Sequence, residues 1–186
     1  MKNLLTILSI SLFTLSFAQD KEISTDSLPG LDNLENVVIV GQLDDKQDLF
    51  ALEINLTQLF ASNGIKTKSS LNIVKQGATG KSLANDSVQK ALKKKGFDTY
   101  MLISVRGYDR RFRPSTKVSE FNDALLSEHL FPIYRDDIVS VTFEITFYRD
   151  GKALENRLIK VGTVGSEESV MKKLNKKLGR LIKKEW

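Results

Sequence analysis

The side chains best equipped to do chemistry lie in one stretch: Arg106, Tyr108, Arg110, Arg111, Phe112, Arg113 and Lys117. Guanidinium groups fork onto phosphates and carboxylates, and interleaved aromatic rings can stack on a sugar or a planar ligand. The combination predicts a site for an anionic ligand or an acidic partner. The competing reading is a solvated loop whose aromatics pack on the body of the protein. Other constellations offer less. His129 is the only histidine, and no nucleophile-elbow pattern accompanies the serines, so a Ser-His-Asp arrangement has no local support. With one His and no Cys, a zinc site is poorly supplied, and the sequence implies no cofactor and no metal. Gly77-Ala-Thr-Gly80-Lys81-Ser82 is too short for a phosphate loop, because Lys75 stands where the first glycine belongs. Acid–base work by carboxylates needs two acids in different environments, and Glu144 is the only acid placed within a strand.

These residues are positioned by a simple order of elements. Val37–Val40 reads as a short buried strand ended by Gly41. Asp44 and Asp45 can cap a helix carrying Leu49, Leu52, Leu56, Leu59 and Phe60 at three-to-four spacing, which Asn63-Gly64 stops. Ile65 to Val74 follows as a strand and Gln76–Asn85 as a loop; Asp86-Ser-Val-Gln89 then has the form of a capping box for a helix ending at Gly96. Tyr100–Val105 has little polar alternation, so it is expected at the centre of a sheet, covered on both sides. From Val139 to Tyr148 apolar and polar residues alternate, which predicts one buried face with Phe143 and one wetter face with Thr142. Asp150-Gly151 is a two-residue hairpin signal that returns Ala153–Val161 antiparallel. Ser166 starts a last helix whose apolar stripe docks on the body, or alternatively lies on a membrane, with its lysines outward. The expected fold class is therefore α/β (α+β): a single mixed sheet of about five strands with helices packed on it, in the order β-α-β-α-β-(insertion)-β-β-α.

Composition and the first residues bear on location. The chain has 186 residues, 41% apolar and 27% charged, as expected of one globular domain, with a net charge of +5. A modest basic excess suits anionic partners: an envelope protein, an acidic glycan or an anionic lipid surface, with nothing pointing to nucleic acid. Lys2, the apolar run Leu4–Phe17 and the small-x-small string Ser16-Phe17-Ala18 read as a signal peptide; an uncleaved anchor is the alternative. The expected organisation is a signal peptide at 1–18, a loose leader at 19–34 and one domain at 35–186 carrying an insertion at 107–137. Export across the inner membrane of a Gram-negative bacterium, to the periplasm or the outer surface, follows from it.

The string Gly96-Phe-Asp-Thr-Tyr-Met-Leu-Ile-Ser-Val105, then Phe131-Pro-Ile-Tyr134, then Asp150-Gly-Lys-Ala-Leu154, resembles small bacterial envelope proteins, many of them lipoproteins. Their layout is similar to the N-terminal domain of the periplasmic Tol-system propeller protein. The chain departs from them in lacking a lipobox Cys and a Trp after the hairpin turn. The resemblance implies an exported binding or assembly module, and it transfers no functional residue. The rival expectation is a secreted hydrolase using carboxylates from the insertion.

Overall fold

The computed structural model describes residues 23–31, 34–73, 80–127 and 130–186. The signal-peptide reading, His129 and the first half (77–79) of the glycine-rich loop at 77–82 lie outside them. Strand β1 (Ile23–Ser24) is followed by β2 (Asn36–Gln42), α1 (Lys46–Ser62), β3 (Lys66–Ser69), α2 (Asp86–Lys94) and β4 (Thr99–Tyr108). Then come β5 (Lys117–Val118), α3 (Phe121–Leu125), β6 (Ser140–Arg149), β7 (Lys152–Gly162) and α4 (Glu167–Glu185). The main sheet has the order β3-β2-β4-β6-β7. β2 runs parallel to β3 and β4, whereas β6 and β7 are antiparallel additions. This is the mixed five-stranded sheet the sequence predicts, with β4 at its centre.

Both faces of the sheet are covered. Val37, Ile39, Met101, Ile103, Phe143, Ile145 and Phe147 face α1 and α4 and form the larger core. Val38, Val40, Tyr100, Leu102 and Tyr148 form the second, with Leu83, Leu92, Phe97, Phe121 and Leu125 from the opposite cover. The apolar stripe of α4 (Val170, Met171, Leu174, Leu178 and Ile182) is buried, so that helix docks. Its start is fixed by a capping box between Ser166 and Ser169.

Several expectations change at this level. The polar face of β6 is not wet: Thr142 is 3% exposed and Thr146 6%, because the insertion packs over it. β3 ends at Ser69 rather than Val74, and Ser70–Asn72 turns into a 3-10 helix. The reason is Glu53, a fully buried carboxylate within the apolar stripe of α1. It accepts hydrogen bonds from the Gly41 amide at 2.8 Å, the Ser69 hydroxyl at 2.6 Å, the Ser70 hydroxyl at 2.7 Å and the Leu71 amide at 3.2 Å. A buried carboxylate without such donors is very costly, so these four bonds define where the strand stops. Gly41 lies inside β2, not at its end; a Cβ there would sit 2.5 Å from Leu49 Cδ1, so any larger residue would require the Leu49 side chain of α1 to move. Asn85, not Asp86, caps α2, and the expected loop before it contains a 3-10 helix at Gly80–Ala84. Part of the expected loose leader is tied down: β1 pairs with β5, the Gly30 amide donates to the Leu154 carbonyl, and Leu31 and Leu34 are buried.

The insertion wraps both faces. Val118, Phe121 and Leu125 enter the second core, while Ile133 enters the first.

Candidate functional site at the carboxyl end of the sheet

Along the second face the sheet changes character. β4 presents Tyr100, Leu102, Ser104 and Arg106 in turn, and β6 presents Tyr148, Thr146 and Glu144 beside them. The apolar half is filled by Phe121 and Phe97. The polar half is not, and a cleft of about 320 Å³ opens there between β4–β6 and the β5–α3 cover. Gln42, Ser104, Arg106, Ser115, Lys117, Ser127, Phe131 and Glu144 are among the residues lining it. It reaches the carboxyl ends of β2 and β4, neighbouring parallel strands from which the chain leads off in opposite directions, β2 through α1 to β3 and β4 to β6 on the other side. In open α/β sheets ligands bind at such a switch point.

Arg106 and Glu144 form an ion pair at 3.4 Å. The Glu144 carboxylate also accepts from Asn156 Nδ2 at 3.0 Å and Ser115 Oγ at 3.4 Å. Glu144 is thus held as a fixed acceptor, and Arg106, whose side chain is 44% exposed, keeps donors for a second anion. Burial pushes the Tyr148 hydroxyl up to about 12, so it serves the cleft as a neutral phenol rather than a base.

The seven residues singled out from sequence separate into three groups. Arg106 and Lys117 line the cleft. Tyr108 and Phe112 pack: the Tyr108 hydroxyl donates to the Pro132 carbonyl and its ring meets Phe131 edge-on at 6.2 Å, while Phe112 lies against Gly107. Burial lifts the Tyr108 hydroxyl to about 12 as well. Arg110, Arg111 and Arg113 are exposed and do not line the cleft. Gln42, Ser104, Ser115 and Ser127 were not foreseen. The available signal was the polar residues at period two in β6, expected from sequence to form a wetter face, continued by Ser104 and Arg106 at the end of β4.

The same end of the molecule carries the exposed large apolar side chains among the described residues: Phe50, Leu126, Phe131 and Val139. No group of His, Cys, Asp and Glu among the described residues could hold a metal ion, and no described helix is long and apolar enough to cross a membrane.

No family model matches the chain, and no curated protein matches it. Among solved structures, the PelC dodecamer from Paraburkholderia phytofirmans is 9% identical over 87% of this chain and 94% of that one, with a TM-score of 0.45. The lipoprotein GNA1162 from Neisseria meningitidis is 12% identical over 82% of this chain and 98% of the other, with a TM-score of 0.43. Similarity to the Tol-system propeller protein is not shown by these comparisons, and no functional residue is carried over from them.

Proposed function

We propose that the protein is an exported, non-enzymatic binding module of the bacterial envelope that receives an acidic segment of a protein partner at the carboxyl end of its sheet. The cleft that holds Arg106 and Lys117 carries this reading. Around it, exposed Phe50, Leu126, Phe131 and Val139 accompany Arg110, Arg111 and Arg113. Aromatic residues and Arg are the residue types enriched where proteins bind proteins. The hydrolase reading has less behind it: among the described residues Glu144 is the one carboxylate lining the cleft, and it is committed to Arg106. Glycosidase chemistry needs a second carboxyl group within roughly 5–10 Å.

The test is binding of a labelled polyglutamate peptide, and capture from envelope extract, by the chain beginning at Gln19. Binding should weaken as salt rises, because exposed charges are screened. Arg106→Ser with Lys117→Ser should reduce it about tenfold or more while stability stays within roughly 1 kcal/mol. Unchanged binding by the folded double variant would sink the proposal.

A further inference from the structure

The opposite end of the sheet carries a different chemistry. Four elements bring charge there. α2 ends in Lys94 and Lys95 and is pinned to the hairpin tip by Lys93 and Asp150 at 2.6 Å. α4 ends in Lys183 and Lys184 and is pinned by Trp186, whose ring meets Phe147 at 4.8 Å and Phe60 at 6.3 Å. Lys66 opens β3 with its ammonium 5.1 Å from the Phe97 ring, and Lys152 opens β7. Six exposed lysines on four elements therefore converge on the amino end of the sheet.

Much of the nearby negative charge is already engaged. Asp150 pairs with Lys93, Asp98 with Arg149, and Glu155 and Glu185 with Arg157. Among the described residues, Glu35 precedes β2, Glu120 lies beside the hairpin tip and Asp86 lines a hollow with Lys93 and Asp150. None of the six lysines forms an ion pair with a described residue. Lysine at a helix C-terminus also offsets the helix dipole, which accounts for the four on α2 and α4 but not for Lys66 or Lys152.

We infer that this basic pole docks the protein on an anionic lipid surface. Three observations select that occupant. The six cations left outside ion pairs are all Lys, compact point charges that suit diffuse phosphate arrays, and Lys is depleted from protein–protein interfaces. The large exposed apolar side chains lie at the other end, so this pole offers no anchor for a protein hot spot. The charge is spread over the end of the molecule on separate elements, not gathered around a cleft. Docked this way, the protein points its carboxyl-end cleft away from the lipid.

The experiment is co-sedimentation of the chain beginning at Gln19, which retains every described residue, with two kinds of vesicle. One kind is pure phosphatidylcholine; the other contains about 30% phosphatidylglycerol as the anionic lipid. Binding is expected only to the anionic vesicles and should fall with salt. Each lysine near such a surface multiplies binding roughly fivefold, so Lys94→Ser, Lys95→Ser, Lys183→Ser and Lys184→Ser together should reduce it by a few hundredfold. Circular dichroism confirms that this exposed-site variant is folded. Replacing Arg110, Arg111 and Arg113 by Ser should leave vesicle binding within about twofold, although it removes a similar charge. Absence of binding to anionic vesicles, equal binding to both kinds, or equal loss in the arginine variant would each overturn the inference. The peptide assay of the cleft is unaffected by any of these outcomes, so the two proposals fail separately.

Discussion

The two ends of the sheet are built under the same electrostatic rule and are used differently. Helix N-termini carry partial positive charge and C-termini partial negative charge. Accordingly Asp45 and Asp48 sit at the start of α1 and Glu167 and Glu168 at the start of α4, while lysines gather where α2 and α4 end. The connections distinguish the ends. At the amino end they are tight: Asn63-Gly64, Gly96 at φ 81° and the Asp150-Gly151 hairpin turn. Such turns leave little besides surface charge to vary. At the carboxyl end, the link between β4 and β6 carries β5, α3 and the arginine stretch, and it encloses a cleft. Long connections on a rigid sheet are where binding residues accumulate.

The largest predicted effect tests whether the amino end is the structural anchor. Trp186 fills the space between Phe60 and Phe147, and its indole donates to Glu155 at 3.3 Å. Trp186→Ala should cost about 3 kcal/mol in urea unfolding. Phe50→Ala, at the exposed carboxyl end, should stay within roughly 0.5 kcal/mol. Equal losses would erase the contrast.

A smaller effect concerns how the long connection is held. Asp109 lies at φ 51°, and its Oδ1 accepts from the Val139 amide at 2.9 Å and the Ser140 amide at 2.7 Å. The Ser140 amide, first of all, holds its carboxyl below the ordinary value of 3.8. A carboxylate with a lowered folded pKa adds stability above its unfolded pKa and loses it as pH falls through the folded one. Asp109→Asn keeps a residue that tolerates this φ. It should melt below wild type at neutral pH, and the gap should close in acid below the usual carboxylate range. A gap unchanged with pH would show that the charge contributes nothing.

The smallest effect runs the other way. Burial, and then the neighbouring Asp48, push the Glu167 carboxyl above its ordinary 4.5. A raised folded pKa favours the folded state when the group is protonated, and that benefit is lost as pH rises through the folded value. Glu167→Gln should therefore gain slightly on wild type above that range, the gain vanishing near pH 4. Because Glu167 is mostly solvated, a large shift in melting temperature would contradict this placement.

Local pattern was enough wherever neighbours in sequence settle the outcome. The cap at Asp45, the stop at Gly96, the Asp150-Gly151 turn, the Ser166 start and the docked stripe of α4 are decided within a few residues, by capping geometry, positive φ and helical period. The unbroken apolar run from Tyr100 to Ile103 likewise marked the centre of the sheet. What no local pattern could show was which distant segment covers which face. Thr142 and Thr146 look solvent-facing until the fold buries them, Thr146 beside Val118 and Ala124. Glu53 looks like a surface acid until Gly41, Ser69 and Ser70 surround it. Arg106 gained its partner Glu144 only through β4–β6 pairing, and Lys117 reaches the same cleft from β5. Side-chain polarity is a property of each residue, but burial and pairing belong to contacts between segments far apart in the chain, so only the tertiary structure decided them.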